Sequence, residues 1–329
     1  MKLRASVGTA AVLGLQKMLL QAVPTTAYLM LYSEEHCSAN CSFCPQANSS
    51  PSKTDRLSRV LWPAYELNEL IAALSKKDHP IKRICIQTVS YTNSDEDLLK
   101  ILAQFSSSSI RTPISVCSYP LPKATFERMR ELGVKRIGIS YDCATPEIYD
   151  NVKGKNRGVE FSWQDLDKTL QDAIDVFGNR FVSTHLIIGL DETEKEAIEF
   201  MQKFHDQKIT IGLFAFTPVK GTELEKKPQP KMDSYRRIQL ARSLIVSGKT
   251  NINKMIFLNE RRIIDYGVQD DILLDEINKG KPFQTTGCPH CNRPFYNESP
   301  GKELYNFPYE LSQKDINKVK QYFEEFIEK

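Results

Sequence analysis

The sequence predicts an α/β fold, a (β/α)8 barrel of the TIM type, closed or nearly closed. Three observations point there. Short β-branched, apolar runs alternate with longer stretches of helical periodicity along most of the 329 residues, the pattern of a parallel sheet with helices outside. The turn Glu131-Leu132-Gly133-Val134 passes from helix to strand through glycine, as αβ connections do. No repeat, low-complexity tract or domain-sized linker interrupts the alternation, and one barrel accommodates ~250 residues.

Residues 1–26 are expected to form a capping helix on the barrel floor. Met1-Lys2-Leu3-Arg4 and the apolar stretch after it imitate a signal peptide, but Gln16 and Lys17 interrupt that stretch. Val12, Leu13, Gln16, Leu19 and Leu20 instead have helical spacing. Residues 27–260 form the barrel, with strands expected at Ala27–Tyr32, Arg83–Val89, Ile114–Ser118, Arg136–Tyr141, Phe181–Ile188, Ile209–Phe216 and Lys254–Leu258. Helical patterns fall between them, at Trp62–Lys76, Lys123–Leu132, Trp163–Phe177, Thr193–Gln207 and Tyr235–Ser247. An eighth strand is expected near Phe283–Thr286, within a C-terminal extension, 261–329, that carries a Cys-x₂-Cys pair and a terminal helix.

Composition narrows the function. At 41% hydrophobic and 26% charged, the chain has material for a substantial core. A net charge of +3 does not suit a nucleic-acid partner. No run approaches the ~20 apolar residues of a membrane span.

The chemistry lies in Cys37-Ser-Ala-Asn-Cys41-Ser-Phe-Cys44, which follows the first strand on the rim where such barrels place active sites. Three thiolates at this spacing can hold three irons of a [4Fe–4S] cube and leave the fourth open, whereas most electron-transfer clusters are fully ligated. Zinc prefers four ligands from paired elements, so the uneven triple fits it poorly. The motif resembles that of the radical S-adenosylmethionine (SAM) enzymes. That resemblance implies a [4Fe–4S] cluster on Cys37, Cys41 and Cys44, with SAM chelating the open iron and being cleaved to a 5′-deoxyadenosyl radical. It also implies a reductant such as ferredoxin or flavodoxin. Phe43 is the aromatic of the family's C-x₃-C-x-φ-C and is expected near the adenine. A cluster that oxidation destroys points to the cytoplasm.

Beyond the triple, the order of several short stretches over roughly residues 20–260 resembles biotin synthase and its relatives. Cys44-Pro45-Gln46, Arg83-Ile84-Cys85, Val116-Cys117, Thr145-Pro146-Glu147-Ile148-Tyr149, Ile187 to Thr193 and Val219-Lys220-Gly221-Thr222 carry it. The departures are equally informative. Ser183 stands where biotin synthase has an auxiliary-cluster cysteine, and Ile256 where it has an arginine ligand. Cys143, Cys288 and Cys291 are additional here.

A second [4Fe–4S] cluster would take four of Cys85, Cys117, Cys143, Cys288 and Cys291. The preferred set is Cys117, Cys143, Cys288 and Cys291, with Cys85 as substitute. Two plainer readings stand beside it: Cys85 and Cys117 as buried small hydrophobes, and Cys288 and Cys291 as half a zinc knuckle. Arg293, Tyr296 and Asn297 follow the pair closely enough to line the same cavity. For SAM, the expected partners are Gln87, Thr88 and Ser90 after the second strand, Tyr141 and Asp142 near the ribose, and the Ile187–Leu190 stretch, including Ile188, against the adenine.

The altered ligand set resembles the archaeal-type two-component lipoyl synthases more than biotin synthase. That implies sulfur insertion into a protein-bound octanoyl-lysyl group on a carrier protein or lipoyl domain, shared with a paralogous radical SAM partner. Lys226, Lys227, Lys279 and Lys281 would meet an acidic carrier, or form a solvated face. The competing readings are sulfur transfer to another substrate and a radical mutase resembling methylornithine synthase, which needs one cluster only.

Overall fold

The computed structural model describes residues 1–298 and 301–327. Its centre is an eight-stranded, mostly parallel sheet of β1 (Lys2–Ala5), β2 (Thr26–Leu31), β3 (Ala64–Glu66), β4 (Arg83–Gln87), β5 (Ile114–Ser118), β6 (Val134–Asp142), β7 (Val182–Ile188) and β8 (Thr210–Ala215). The spatial order is β8-β7-β6-β5-β4-β2-β1-β3. The run from β2 to β8 is parallel, while β1 lies antiparallel between β2 and β3. Each parallel crossover carries a helix, for example Ser94–Ser107, Lys123–Glu131, Trp163–Phe177 and Glu194–Asp206, as parallel pairing requires. Gly133, at φ 92°, closes the helix before β6, a left-handed conformation that favours glycine.

Six of the expected strands are therefore the parallel strands of the sheet, and the barrel-type α/β architecture stands. Three local expectations do not. The N-terminal segment pairs as β1, and its helix is short, Val7–Val12. Gly14, at φ 73°, follows the helix end, and Leu19 is 94% exposed instead of facing the barrel floor. Lys254–Leu258 contributes only Ile256–Leu258, in a separate two-stranded hairpin with Arg262–Asp265. Phe283–Thr286 makes a 3-10 turn and one isolated bridge from Gln284 to Phe307 instead of an eighth barrel strand.

What replaces that strand is an irregular strap. Leu213 on β8 donates its N–H to Thr286 Oγ1 at 2.9 Å, and Asn297 Nδ2 donates to the Ala215 carbonyl at 2.7 Å. On the other side, the N–H groups of Asn292 and Arg293 donate to Tyr28 Oη on β2 at 3.1 and 2.7 Å. The strap thus spans from the free edge of β8 to β2. It satisfies backbone groups that an open sheet would leave unpaired.

Burial divides into two cores. The larger, with Leu29, Ile84, Ile86, Val116, Ile137 and Ile139, packs strands against helices. The smaller holds Tyr28, Met30, Cys37, Cys41, Cys85, Cys117 and Tyr296. The two-residue strand period separates them.

Candidate active site

One cavity runs through the smaller core, and seven of the eight cysteines line it: Cys37, Cys41, Cys44, Cys85, Cys117, Cys288 and Cys291. The loop after β2 brings the first three to one wall. Cys44 N–H bonds the Cys41 carbonyl at 3.0 Å, folding the loop so that its thiols adjoin. Ser90 N–H donates to Cys37 Sγ at 3.3 Å, and Cys41 Sγ lies 2.7 Å from Tyr119 Oη. Burial raises the thiols, Cys41 to about 11, with Lys153 pulling it back down.

Lys153 is itself 1% exposed. It pairs with Asp142 at 2.6 Å and lies over the Tyr119 ring. Burial opposes its charge, but Asp142 and Cys41 outweigh that and raise its pKa. The cation thus sits in a pocket of potential anions, which fits the negative charge that thiolate ligation brings.

The second group draws on three parts of the chain. Cys85 comes from β4, Cys117 from β5, and the strap supplies Cys288 and Cys291. Cys85 and Cys117, on adjacent strands, interact through their thiols, which holds Cys117 well below the usual thiol value and Cys85 well above it. Gln87 Nε2 donates to Cys85 Sγ at 3.0 Å, and His185 Nε2 lies 3.9 Å from Cys117 Sγ. Cys288 Sγ is 3.9 Å from Ser183 Oγ, so the strap delivers a thiol beside the position where β7 lacks one. Cys291 Sγ lies 3.6 Å from Tyr28 Oη and 3.4 Å from Arg293 Nη1. Room for Cys117 depends on Gly138, whose Cβ would stand 2.9 Å from Cys117 Sγ. Among the described residues no group of three or more Cys, His, Asp or Glu side chains is placed to hold a metal ion.

Several expected residues lie elsewhere, and strand phase is the reason. Tyr141 faces the helices, donating to Asp167 Oδ1 at 2.6 Å and packing on Trp163 and Phe204, while its neighbours Ser140 and Asp142 face the cavity. Ile188 likewise belongs to the outer core, and Ile187 lines the cavity. Cys143 is fully buried in the outer core, off the cavity; its charged surroundings are Asp142, Lys153, Cys41 and Glu192. Cys85, not Cys143, therefore joins Cys117, Cys288 and Cys291.

Ser90 meets the first site through its backbone N–H, its hydroxyl being bonded to Ser38. Gln87 reaches the second group. Phe43, Thr88 and Asp142 line the cavity as expected, as do Arg293, Tyr296 and Asn297. Ile256 is 54% exposed on the outer hairpin. Tyr119, Lys153, Arg83 and His185 were not anticipated. For Tyr119 and His185 the signal was available, two residues beyond Cys117 and Ser183 on the same strand face. Of the basic residues expected to meet a carrier, Lys227 pairs with Asp191 and Lys279 with Asp275 and Glu276.

A mostly parallel α/β sheet with three cysteines on the loop after its first parallel strand defines an iron–sulfur, SAM-dependent class of enzyme. The Radical SAM superfamily model matches residues 34–204, just over half the chain, and the chain belongs to that superfamily. Membership implies a [4Fe–4S] cluster and SAM. Among solved structures, methylornithine synthase is similar at 15% identity over 70% of this chain and 67% of that one, with a TM-score of 0.51. HydG, a maturase of the [FeFe]-hydrogenase, is similar at 13% identity over 68% of this chain and 50% of that one, with a TM-score of 0.52. The chain thus spans about half the length of HydG, and at these identities the likeness shows the fold alone. No curated protein matches it in sequence.

No described helix is long and apolar enough to cross a membrane.

Proposed function

We propose that this radical SAM enzyme inserts sulfur into unactivated C–H bonds of a protein-bound octanoyl-lysyl group, forming the lipoyl cofactor together with a paralogous partner. The observation that carries this reading is that two separate thiol groups share one cavity. Cys37, Cys41 and Cys44 hold the SAM cluster; Cys85, Cys117, Cys288 and Cys291 hold a second [4Fe–4S] cluster. When bound, these groups supply a hydrogen-abstracting radical and a sulfide for C–S bond formation.

The chain supplies enclosure and orientation. Ser90 N–H and Tyr119 Oη donate to thiolates of the first group, and Lys153 balances their charge. Phe43, Val89, Ile187, Phe214 and Phe216 line the cavity, walls that suit an unbranched alkyl chain and keep water from reactive atoms. The resemblance to two-component lipoyl synthases supports the choice of an octanoyl chain.

The test is iron and sulfide content with Mössbauer spectra after anaerobic reconstitution, on wild type and on Cys37→Ala/Cys41→Ala/Cys44→Ala. A complete [4Fe–4S] cluster in the triple variant is expected. Loss of all iron would replace this reading with a single-cluster carbon-skeleton mutase. With an octanoyl-lysyl peptide as substrate, a sulfur-containing intermediate should accumulate until the paralogous partner is added. Complete product from this chain alone would overturn the pairing.

A further inference from the structure

Three cationic side chains line the cavity: Lys153, Arg83 and Arg293. Lys153 has its carboxylate, Asp142. Arg83 and Arg293 are 7% and 9% exposed, and neither has a carboxylate within ion-pair distance among the described residues. Arg237, buried to a similar degree, does have one, Glu194 at 2.7 Å, while the buried Arg4 and Arg136 donate only to carbonyls and hydroxyls and lie away from any thiol group. A buried cation without a counter-ion is costly, so its placement calls for an anion nearby.

Both guanidiniums are directed to the second thiol group. Arg83, the first residue of β4, donates through Nε to the Pro289 carbonyl at 2.9 Å and through Nη1 to Ser115 Oγ at 2.8 Å. It is thereby tied to the Cys-x₂-Cys turn itself. Arg293 lies over the Phe214 ring at 3.9 Å and donates through Nη1 to Cys291 Sγ at 3.4 Å and through Nη2 to the Leu213 carbonyl at 3.3 Å. Its φ of 30° is positive, as are those of His290 and Phe295 in the same strap, a backbone that non-glycine residues adopt only at a cost. Gly287, at φ 138°, leaves space that a Cβ would take within 3.2 Å of Arg293 Nη1.

We propose that Arg83 and Arg293 are the built-in counter-charges of the second cluster. They balance the roughly two negative charges that an oxidised four-thiolate cluster carries and raise its reduction potential. This rests on the second-cluster reading above. The physical reason is that reduction adds a negative charge, and a fixed cation in hydrogen-bond contact with a ligand thiolate stabilises the more negative state. Lys153 has the corresponding place beside the first cluster but shares its charge with Asp142, so the second site is the more electropositive of the two.

The test is an EPR-monitored redox titration in the Cys37→Ala/Cys41→Ala/Cys44→Ala background, where only the second cluster remains, with Arg83→Gln, Arg293→Gln and Arg293→Lys added singly. Each Gln variant should keep its iron, while its reduced-to-oxidised ratio at a fixed potential falls at least tenfold, ~59 mV for one electron. Arg293→Lys should retain most of the potential. Iron retained with an unchanged midpoint in both Gln variants would overturn the counter-charge role. Absence of iron in the unsubstituted background would instead remove the second-cluster reading itself. If Arg293→Gln fails to assemble a cluster, Arg293→Lys decides: iron regained supports the charge, and iron still lost in a protein of unchanged melting temperature assigns Arg293 to packing and overturns it.

Discussion

The two thiol groups are built in opposite ways. Cys37, Cys41 and Cys44 lie within eight consecutive residues on one loop, so their spacing alone predicts the chemistry. Cys85, Cys117, Cys288 and Cys291 meet only because two adjacent parallel strands and a strap some 170 residues later converge. The local group needs little more than its loop. The dispersed one depends on register: Gln87 pairs with Cys117 and Cys117 with Gly138, and a one-residue slip would turn its thiols out of the cavity. One site is encoded in a motif, the other in a fold.

The largest effects should separate the groups cleanly. Alanine at Cys37, Cys41 or Cys44 should bring SAM cleavage to 5′-deoxyadenosine below detection in an anaerobic chromatographic assay while sparing second-site iron. On the proposal of a second cluster, serine at Cys85, Cys117, Cys288 or Cys291 should lower iron from about eight to about four per chain and leave SAM cleavage measurable. Cys143→Ser should leave iron unchanged. Iron loss in Cys143→Ser but not in Cys85→Ser would redraw the second group.

Smaller substitutions sharpen the same contrast. Gly138→Ala places a Cβ 2.9 Å from Cys117 Sγ and 3.1 Å from Ser183 Oγ, an overpacking worth about 1–3 kcal/mol. It should lower the urea midpoint and deplete second-site iron, with the first cluster's spectrum unchanged. Tyr119→Phe removes the 2.7 Å partner of Cys41, a loss of about 1 kcal/mol. The expected result is a few-fold slower SAM cleavage with second-site iron intact, and equal losses from both clusters would contradict the separation.

How much of this was legible follows from the same contrast. The strand–helix alternation gave six parallel strands, and the loop motif gave the first site. What failed was phase. β2 and β5 are buried at every position, as strands covered on both faces are, so apolar residues do not reveal which side faces the cavity. On β6 and β7 the phase is one residue off the expectation: Ser140 and Asp142 face the cavity in place of Tyr141, and Ile187 in place of Ile188, while Cys85 lines the cavity and Cys143 does not. The strap escaped because its hydrogen bonds to β8 and β2 come largely from side chains and positive-φ turns, which have no periodicity to read.

A pH-dependent effect, on stability and not on either cluster, is expected at the end of β7, the strand that carries Ser183 and His185 beside the second thiol group. Glu192 accepts the N–H groups of Gly189 and Leu190 at 2.7 and 2.9 Å, yet burial outweighs those bonds and raises its carboxyl to about 7. An ordinary glutamate in the unfolded chain titrates near ~4.3, so between those values the folded protein holds the additional proton. Stability from this group is then fully present below pH ~4.3, falls as pH rises, and is lost above pH 7, by about 4 kcal/mol if the shift is expressed in full. Glu192→Gln cannot ionise and should flatten that dependence in urea unfolding compared at pH 5 and pH 8. If wild type and variant lose stability in parallel over that range, the turn is not the titrating element.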